Sequence, residues 1–247
     1  MSADCERVKP YGRKESKTEE VREMFDNIAP NYDFMNRAMT FGLDRGWRKK
    51  AIGEIARTEA RHILDIACGT GDMAILMAQT IPTAEVVGID LSPEMLKEGR
   101  KKVISHGLAG RITLVEGDSL SMPFDDASFD AVTVAFGVRN FENLEKGYAE
   151  MLRVLRPGGK LIVLELATPQ GFLTGLGYKF YTRCLIPAVG KIVSGDSRAY
   201  SYLPESIAAV PQRDKMLELM REAGFDETSF RELTFGTCLI YIAEKTI

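Results

Sequence analysis

The stretch Arg61-His-Ile-Leu-Asp-Ile-Ala-Cys-Gly-Thr-Gly-Asp72 constrains this chain more than any other. Apolar Ile63, Leu64 and Ile66 read as a buried strand, Gly69 and Gly71 as a tight turn, and the residues from Met73 as a helix that Asp72 can cap. Such a turn lets the backbone come close to a nucleoside. A dinucleotide fold wants G-x-G-x-x-G with a pyrophosphate on the helix end, and this loop lacks that spacing. Alone, the loop does not separate a nucleoside site from an ordinary strand-to-helix turn.

The next strands narrow the choice. Glu85-Val-Val-Gly-Ile-Asp90 is a second buried strand ending in an acid, about twenty residues past the loop, where nucleotide folds place the carboxylate that accepts ribose hydroxyls. Ser92 and Pro93 open the next helix as cap and first-turn residue. Arg111 to Ser119 is a third strand, and Asp118 at its end can accept an adenine amino group. Ser128 to Phe136 is a fourth strand, followed by Gly137-Val-Arg-Asn-Phe141. A helix from about Asn143 to Leu155 then stops at Arg156-Pro-Gly-Gly159, which leads into a fifth strand, Lys160 to Glu165.

Strands alternating with helices imply a doubly wound parallel sheet, whose ligands bind outside the carboxyl ends of the strands. Gly69, Asp90, Asp118, Arg139 and Glu165 all end or follow strands, so they are expected along one edge. Pro204 to Ala223 reads as a helix capped by Gly224, and two closing strands, about Thr228 to Thr234 and Cys238 to Ala243, as an antiparallel hairpin. That hairpin is foreign to the dinucleotide fold.

No Pro/Ser/Gly-rich linker divides the 247 residues, so a single domain is expected. Residues 1–17 are polar and are expected to be disordered. From a Thr18 cap, Val21, Met24, Phe25 and Ile28 share one helical face until Pro30. Asn31 to Trp47 reads as a short irregular segment dense in amides, aromatics and acids, leading into a helix to about Arg57, so that 18–58 caps the substrate. The crowded aromatics of 168–200 read as a helical lid over an apolar ligand. A net charge of -3 gives no support for a nucleic-acid partner. Scattered Cys5, Cys68, Cys184 and Cys238 point to reduced thiols in a cytoplasmic protein, with no metal site and no disulfide framework. No apolar run approaches the roughly 20 residues that span a bilayer, so any membrane contact is peripheral.

Several of these blocks resemble one family over nearly the whole chain. Asp65-x-Ala67-x-Gly69-x-Gly71 looks like the first motif of class I methyltransferases that use S-adenosylmethionine, with Ala67 in place of the usual first glycine. Phe25-Asp-Asn-Ile-Ala-Pro-Asn-Tyr-Asp-Phe-Met-Asn36 through Trp47-Arg48, Phe136-Gly-Val-Arg-Asn-Phe141, Arg153-Val-Leu-Arg-Pro-Gly-Gly159 and Tyr202-Leu-Pro-Glu-Ser-Ile207 resemble the ubiquinone/menaquinone biosynthesis C-methyltransferases.

The resemblance implies an α/β class I S-adenosylmethionine-dependent methyltransferase fold. Its sheet is doubly wound, mostly parallel and seven-stranded, with an antiparallel C-terminal hairpin. It implies S-adenosylmethionine as donor, held by Asp65, Gly69, Thr70, Gly71, Asp90, Asp118 and Ser119, and a polyprenylated hydroquinone as acceptor. The chain departs from the pattern with Thr40 for Ser, Asp44 for His, Ala135 for Ser and Ala167 for Ser. The Asp44 form looks more like the menaquinone branch, which favours demethylmenaquinol over a methoxybenzoquinol. An inner-face membrane contact and a homodimer are compatible with this reading.

The chemistry sets further expectations. A hydroquinone carbon becomes a nucleophile when a neighbouring phenol, of pKa roughly 10, loses its proton. Neither His62 nor His106 is suitably placed to take it. Arg139 is expected to stabilise the phenolate, Asn140 and Tyr32 to orient the ring oxygens, and Asp33, Asp44 or an ordered water to accept the proton. Against a nucleic-acid methyltransferase stands the absence of an Asn/Asp-Pro-Pro-aromatic motif after the fourth strand and of a Pro-Cys nucleophile.

Overall fold

The computed structural model describes residues 3–171 and 197–246. Its frame is one seven-stranded sheet: β1 (His62–Ile66), β2 (Glu85–Asp90), β3 (Ile112–Glu116), β4 (Phe129–Ala135), β5 (Leu155–Leu166), β6 (Glu227–Leu233) and β7 (Cys238–Glu244), in the order β3-β2-β1-β4-β5-β7-β6. The first five strands run parallel. β7 pairs antiparallel with both β5 and β6, giving the doubly wound sheet and closing hairpin expected from the sequence. The order reverses at β1 and β4, the point where such sheets open a crevice for ligands.

Strand β1 lies at the centre and is apolar on both faces, as strands covered by helices on both sides must be. Ile63 packs with Trp47, Ile52 and Ile55 of α4 (Leu43–Ile55) and with Met77 of α5 (Asp72–Thr80). Leu96 and Val103 of α6 (Pro93–Ser105) join the same cluster. Leu64 and Ile66 face the other way, towards Tyr148 and Met151 of α7 (Leu144–Val154) and Met216 and Met220 of α9 (Asp214–Glu222). Helix α8 (Ser197–Ala209) precedes α9.

Local structure departs from the expectations at identifiable places. The start of the chain, expected to fray, is tied down. Helix α1 (Asp4–Arg7) buries Cys5. The Glu20 carboxylate accepts the backbone N–H groups of Tyr11 (2.6 Å), Gly12 (2.9 Å) and Arg13 (2.7 Å). Chelation of backbone by one carboxylate offsets the lack of apolar residues, and composition does not reveal it.

Helix α2 (Lys17–Ile28) is capped by Ser16 in a reciprocal capping box with Glu19; Thr18 donates instead to Glu142 at 2.7 Å. Residues 31–47 are not irregular: a 3-10 turn (Ala29–Asn31) runs into α3 (Tyr32–Thr40), and left-handed Phe41 and Gly42 separate it from α4. Asp72 opens α5 without capping it and pairs with Lys102. The region from Pro204 to Ala223 is broken, since α8 ends at Ala209 before Pro211 and α9 starts at Asp214. Most of the segment expected as a lid lies outside the described residues.

Candidate active site

Two adjoining hollows open beyond the carboxyl ends of the strands. The narrower, of about 60 Å³, is lined by Gly69 after β1, Asp90 at the end of β2, Asp118 and Ser119 after β3, and the turn after β4. Each wall is set by the strand before it, which delivers its last residue to the same edge. Gly69 has φ +54°, a left-handed conformation that glycine adopts without strain. Gly137 is required by proximity: a Cβ there would lie 2.8 Å from the Cβ of Ala67, where the loops after β1 and β4 touch. Ala67 (φ 50°) and Phe136 (φ 61°) are held left-handed without being glycine, the kind of backbone strain that collects at functional sites.

Asp90 anchors the cleft. Its Oδ2 accepts the Gly69 N–H at 2.7 Å and its Oδ1 the Ser92 N–H at 2.9 Å, leaving each oxygen capacity for a further donor. Burial pushes its carboxyl up to about 6. Asp118 Oδ1 accepts the Leu120 N–H at 2.8 Å. A buried carboxylate with spare lone pairs, a second acid on the next strand and a glycine that lets the backbone approach fit a nucleoside donor. Thr18, Val21, Arg22 and Phe25 of α2 lie across the same cleft, fixed by the Ser92 hydroxyl donating to Asp26 at 2.6 Å. The sequence pattern assigns this helix to covering the acceptor, whereas part of it covers the donor cleft.

The remaining residues expected at the donor do not line the cleft. Asp65 is fully buried beneath the loop, accepting from Thr133 Oγ1 at 2.8 Å, and burial pushes its carboxyl up to about 7. Thr70 donates to Asp33 Oδ1 at 2.6 Å. Gly71, with φ +77°, serves as the N-cap of α5. These residues shape the loop from behind.

The wider hollow, of about 400 Å³, is apolar apart from a few groups. Tyr32, Asn36 and Thr40 of α3, Asp44 of α4, and Arg139, Asn140 and Tyr202 line it among methionines and aromatics. Four of the five expected catalytic residues therefore meet here: Tyr32, Asp44, Arg139 and Asn140. Asp33 does not, because it faces the other side of α3 and binds Lys102 Nζ at 2.6 Å, with Thr70 and Asp72 in the same network. A carboxylate locked in that network is removed from the candidates for proton acceptor. His62 and His106 line neither hollow. Phe25, Tyr32, Phe136 and Asn140 belong to both hollows, so a molecule in one meets a molecule in the other across this wall.

Two buried ion pairs stand at the wider hollow. Arg139 Nη1 reaches Glu165 Oε1 at 2.7 Å and also donates to the carbonyl of Phe136. Burial works against its charge, and Glu165, Tyr32 and Tyr202 together more than offset that. Arg48 Nη1 meets Asp44 Oδ2 at 2.5 Å, while the one Thr40 hydroxyl proton is placed between the Asn36 carbonyl (2.7 Å) and Asp44 Oδ1 (3.0 Å). The Arg48 guanidinium lies over the Phe136 ring, 5.1 Å from its centroid. Neither Arg48 Nε nor Arg139 Nε finds a hydrogen-bond partner among the described residues. Buried donors of this kind call for an oxygen on a bound molecule or water. Tyr32 is pushed up by burial, so its hydroxyl keeps its proton and can donate. Asn140 Oδ1 accepts from Tyr202 at 3.0 Å, which leaves its amide N–H groups for a ligand.

The turn carrying Arg139 and Asn140 is held by a residue that the sequence pattern does not single out. Lys17 is fully buried, and its ammonium donates to the carbonyls of Cys5 (2.6 Å), Arg139 (2.8 Å) and Phe141 (3.1 Å). Its three donors are thereby used, although burial lowers its pKa to about 8. Arg48, four residues after Asp44, is open to recognition by its i,i+4 spacing; Lys17 carries no such signal.

The sequence pattern of the ubiE/COQ5 methyltransferase family matches residues 13–245. A protein of Bacteroides fragilis named demethylmenaquinone methyltransferase is 45% identical, the match covering 99% of this chain and 100% of that protein. A Geobacter sulfurreducens protein named ubiquinone/menaquinone biosynthesis C-methyltransferase is 44% identical over 94% of this chain and 91% of its own. Among solved structures, a SAM-dependent methyltransferase from Thermotoga maritima superposes with a TM-score of 0.63 at 19% identity, covering 90% of this chain and 99% of the other. At that identity the likeness concerns the fold.

Proposed function

The chain belongs to the ubiE/COQ5 methyltransferase family, and from that premise we propose that it methylates a ring carbon of a polyprenylated demethylmenaquinol, giving menaquinol. The observation that carries the reading is the pair of hollows sharing the wall of Phe25, Tyr32, Phe136 and Asn140, one polar and suited to a nucleoside, the other large and apolar. When bound, S-adenosylmethionine supplies a methyl already activated on a sulfonium. The protein's task is then alignment, exclusion of water and preparation of the acceptor.

Gly69, Asp90, Asp118 and Ser119 hold the donor in this reading, and the helices of 18–58 form the cap, α2 over the donor and α3 with α4 over the acceptor. In the wider hollow the unpartnered Arg139 Nε–H and the Tyr32 hydroxyl donate to a ring oxygen, and Asn140 orients it. Asp44, kept in place by Arg48 and Thr40, takes the phenol proton. The ring carbon then has the electron density to accept the methyl. The ring C–H proton then leaves to solvent, restoring aromaticity, and Asp44 returns the phenol proton to the ring oxygen, so that one proton in all is released.

A cytoplasmic location with contact at the inner face of a membrane suits an acceptor whose tail dissolves in lipid. A homodimer belongs to the same proposal and is checked by sedimentation of the purified protein. The test of function is methyl transfer from labelled donor to a short-tailed demethylmenaquinol, with a 2-prenyl-6-methoxybenzoquinol as competitor. Label in the naphthoquinol is expected; label only in the benzoquinol moves the enzyme to the ubiquinone branch, and label in neither refutes the reading.

A further inference from the structure

The rim of the wider hollow displays more apolar surface to water than its chemistry inside requires. Phe41 and Leu43, between α3 and α4, line its mouth with 72% and 45% of their surface exposed. On the facing side, Phe235 in the turn between β6 and β7 is 82% exposed. Phe34, 63% exposed, stands in the first turn of α3 without lining the hollow. Phe41 (φ 52°), Thr234 (φ 45°) and Phe235 (φ 57°) are also left-handed, a conformation that bulky residues avoid. Two turns thus hold aromatic side chains outward against both solvation and backbone preference.

Charge around the rim points to one kind of partner. Arg37, Arg45, Lys49 and Lys50 are exposed on α3 and α4. Between residues 34 and 53 the single acid, Asp44, is buried against Arg48. A chain of net charge -3 therefore carries exposed cations on the two helices whose junction, at Phe41 and Leu43, forms part of the mouth of its acceptor hollow. Aromatic residues favour the membrane–water interface, and exposed Lys and Arg favour anionic headgroups. Among the described residues no helix is long and apolar enough to cross a membrane.

We infer that the α3–α4 and β6–β7 turns form a docking surface for an anionic phospholipid bilayer. Phe235, Phe41 and Leu43 enter the interface, while Arg45, Lys49 and Lys50 face the headgroups. The inference rests on the acceptor proposed above, since docking places the mouth of the hollow where a lipid-dissolved tail can slide in without crossing water.

The test is co-flotation of the full chain with phosphatidylcholine vesicles that contain or lack phosphatidylglycerol, at low and high salt. Binding is expected only with the anionic lipid and is expected to weaken with salt. Replacing Arg45, Lys49 and Lys50 together by Gln is expected to weaken binding about fivefold per charge, roughly a hundredfold in all. Phe235→Ser is expected to cost about tenfold or more. Equal binding to neutral vesicles, no binding to anionic ones, or binding untouched by both changes overturns the docking surface. Should Phe235→Ser fail to fold, the triple glutamine variant decides, because its side chains are exposed and line neither hollow. Turnover of a water-soluble, short-tailed acceptor by that variant is expected to match the parent. Such turnover without vesicle binding by the parent chain refutes docking while leaving the proposed reaction intact, and absent turnover by the parent refutes the reaction.

Discussion

Replacing Glu165 by Gln separates what the buried pair does for the fold from what it does for the acceptor. Glu165 Oε1 accepts from Arg139 Nη1 at 2.7 Å and from the Leu166 N–H at 2.9 Å, while Oε2 accepts the Arg139 N–H at 3.3 Å. One side chain thus holds both the backbone and the guanidinium of Arg139. Glutamine fills the same space and can keep the contacts at Oε1, but its amide nitrogen would face the Arg139 N–H. At an effective dielectric of about 20, the lost attraction between unit charges at that separation is about 6 kcal/mol. Relief of carboxylate desolvation returns several kcal/mol, and breaking buried pairs by removing one partner costs about 3–5 kcal/mol in practice. We expect Glu165→Gln to lose about 3 kcal/mol of unfolding free energy, a fall in Tm of roughly 6–12 °C for a chain of this size.

Its kcat is expected to fall by about one to two powers of ten, less than the roughly 10²–10³ for outright loss of a positioned donor, because Arg139 itself remains. Donor affinity is expected to stay level, because Glu165 lines neither hollow. Urea unfolding, calorimetric titration with donor and single-turnover assays on a short-tailed demethylmenaquinol measure the three quantities. A variant within about 1 kcal/mol and twofold in kcat of the parent would show that Glu165 does not organise Arg139, and the assignment of Arg139 to the phenolate would lose its structural support.

Lys17→Met is expected to cost about 3 kcal/mol: three buried carbonyls lose their donor at about 2 kcal/mol each, set against about 3 kcal/mol recovered from an ammonium whose pKa is lowered to about 8. Limited proteolysis should then cut within 3–16, and kcat should fall as the 138–141 turn loosens; unchanged proteolysis would refute the tie. Asp90 gives opposite pH trends for folding and binding. Its carboxyl rises from 3.8 to about 6 in the folded chain, so between these values the native state holds more protons than the unfolded one. Its contribution to stability is therefore full below pH 3.8 and lost as pH rises through about 6, by roughly 3 kcal/mol. Donor binding needs the ionised form and is expected to weaken up to tenfold per unit below about pH 6. Calorimetry across pH on the parent and on Asp90→Asn checks both, and an Asp90→Asn variant with the parent's pH dependence would refute the assignment.

The parallel part of the sheet was legible because β1 to β4 are short, largely apolar runs followed by an acid or a glycine, and the edge that gathers Gly69, Asp90, Asp118 and Arg139 comes from parallel topology alone. Legibility stopped where polar side chains bind one another across distance in sequence. Asp33 sits beside Tyr32 in the chain, yet the helical turn sends it to Lys102, sixty-nine residues on, and Tyr32 into the hollow. Nothing in local composition separates those two fates. The segment from Asn31 to Trp47 hides its helix for a related reason: Tyr32, Met35, Asn36, Met39 and Thr40 keep helical spacing, but three of the five carry polar groups because their face lines a ligand hollow rather than a core.

In the proposed reaction, the two ion pairs let an apolar hollow accommodate a phenolate. Arg139 with Glu165, and Arg48 with Asp44, each sum to zero, so the hollow carries no net charge from these pairs. A new charge in a medium of low dielectric is costly, whereas moving an existing one is much less so. When Asp44 takes the phenol proton, its negative charge is relocated to the ring oxygen, and the two guanidiniums face the same total negative charge as before. Arg48 loses its counter-ion as a phenolate appears nearby, and the unpartnered Nε–H groups of Arg48 and Arg139 are the donors left to meet it. A histidine in place of Asp44 would begin neutral and become positive on taking the proton, creating a cation and an anion together beside Arg48. With aspartate at position 44, proton transfer in the proposed reaction is a charge shift, and Arg48 balances the carboxylate before it.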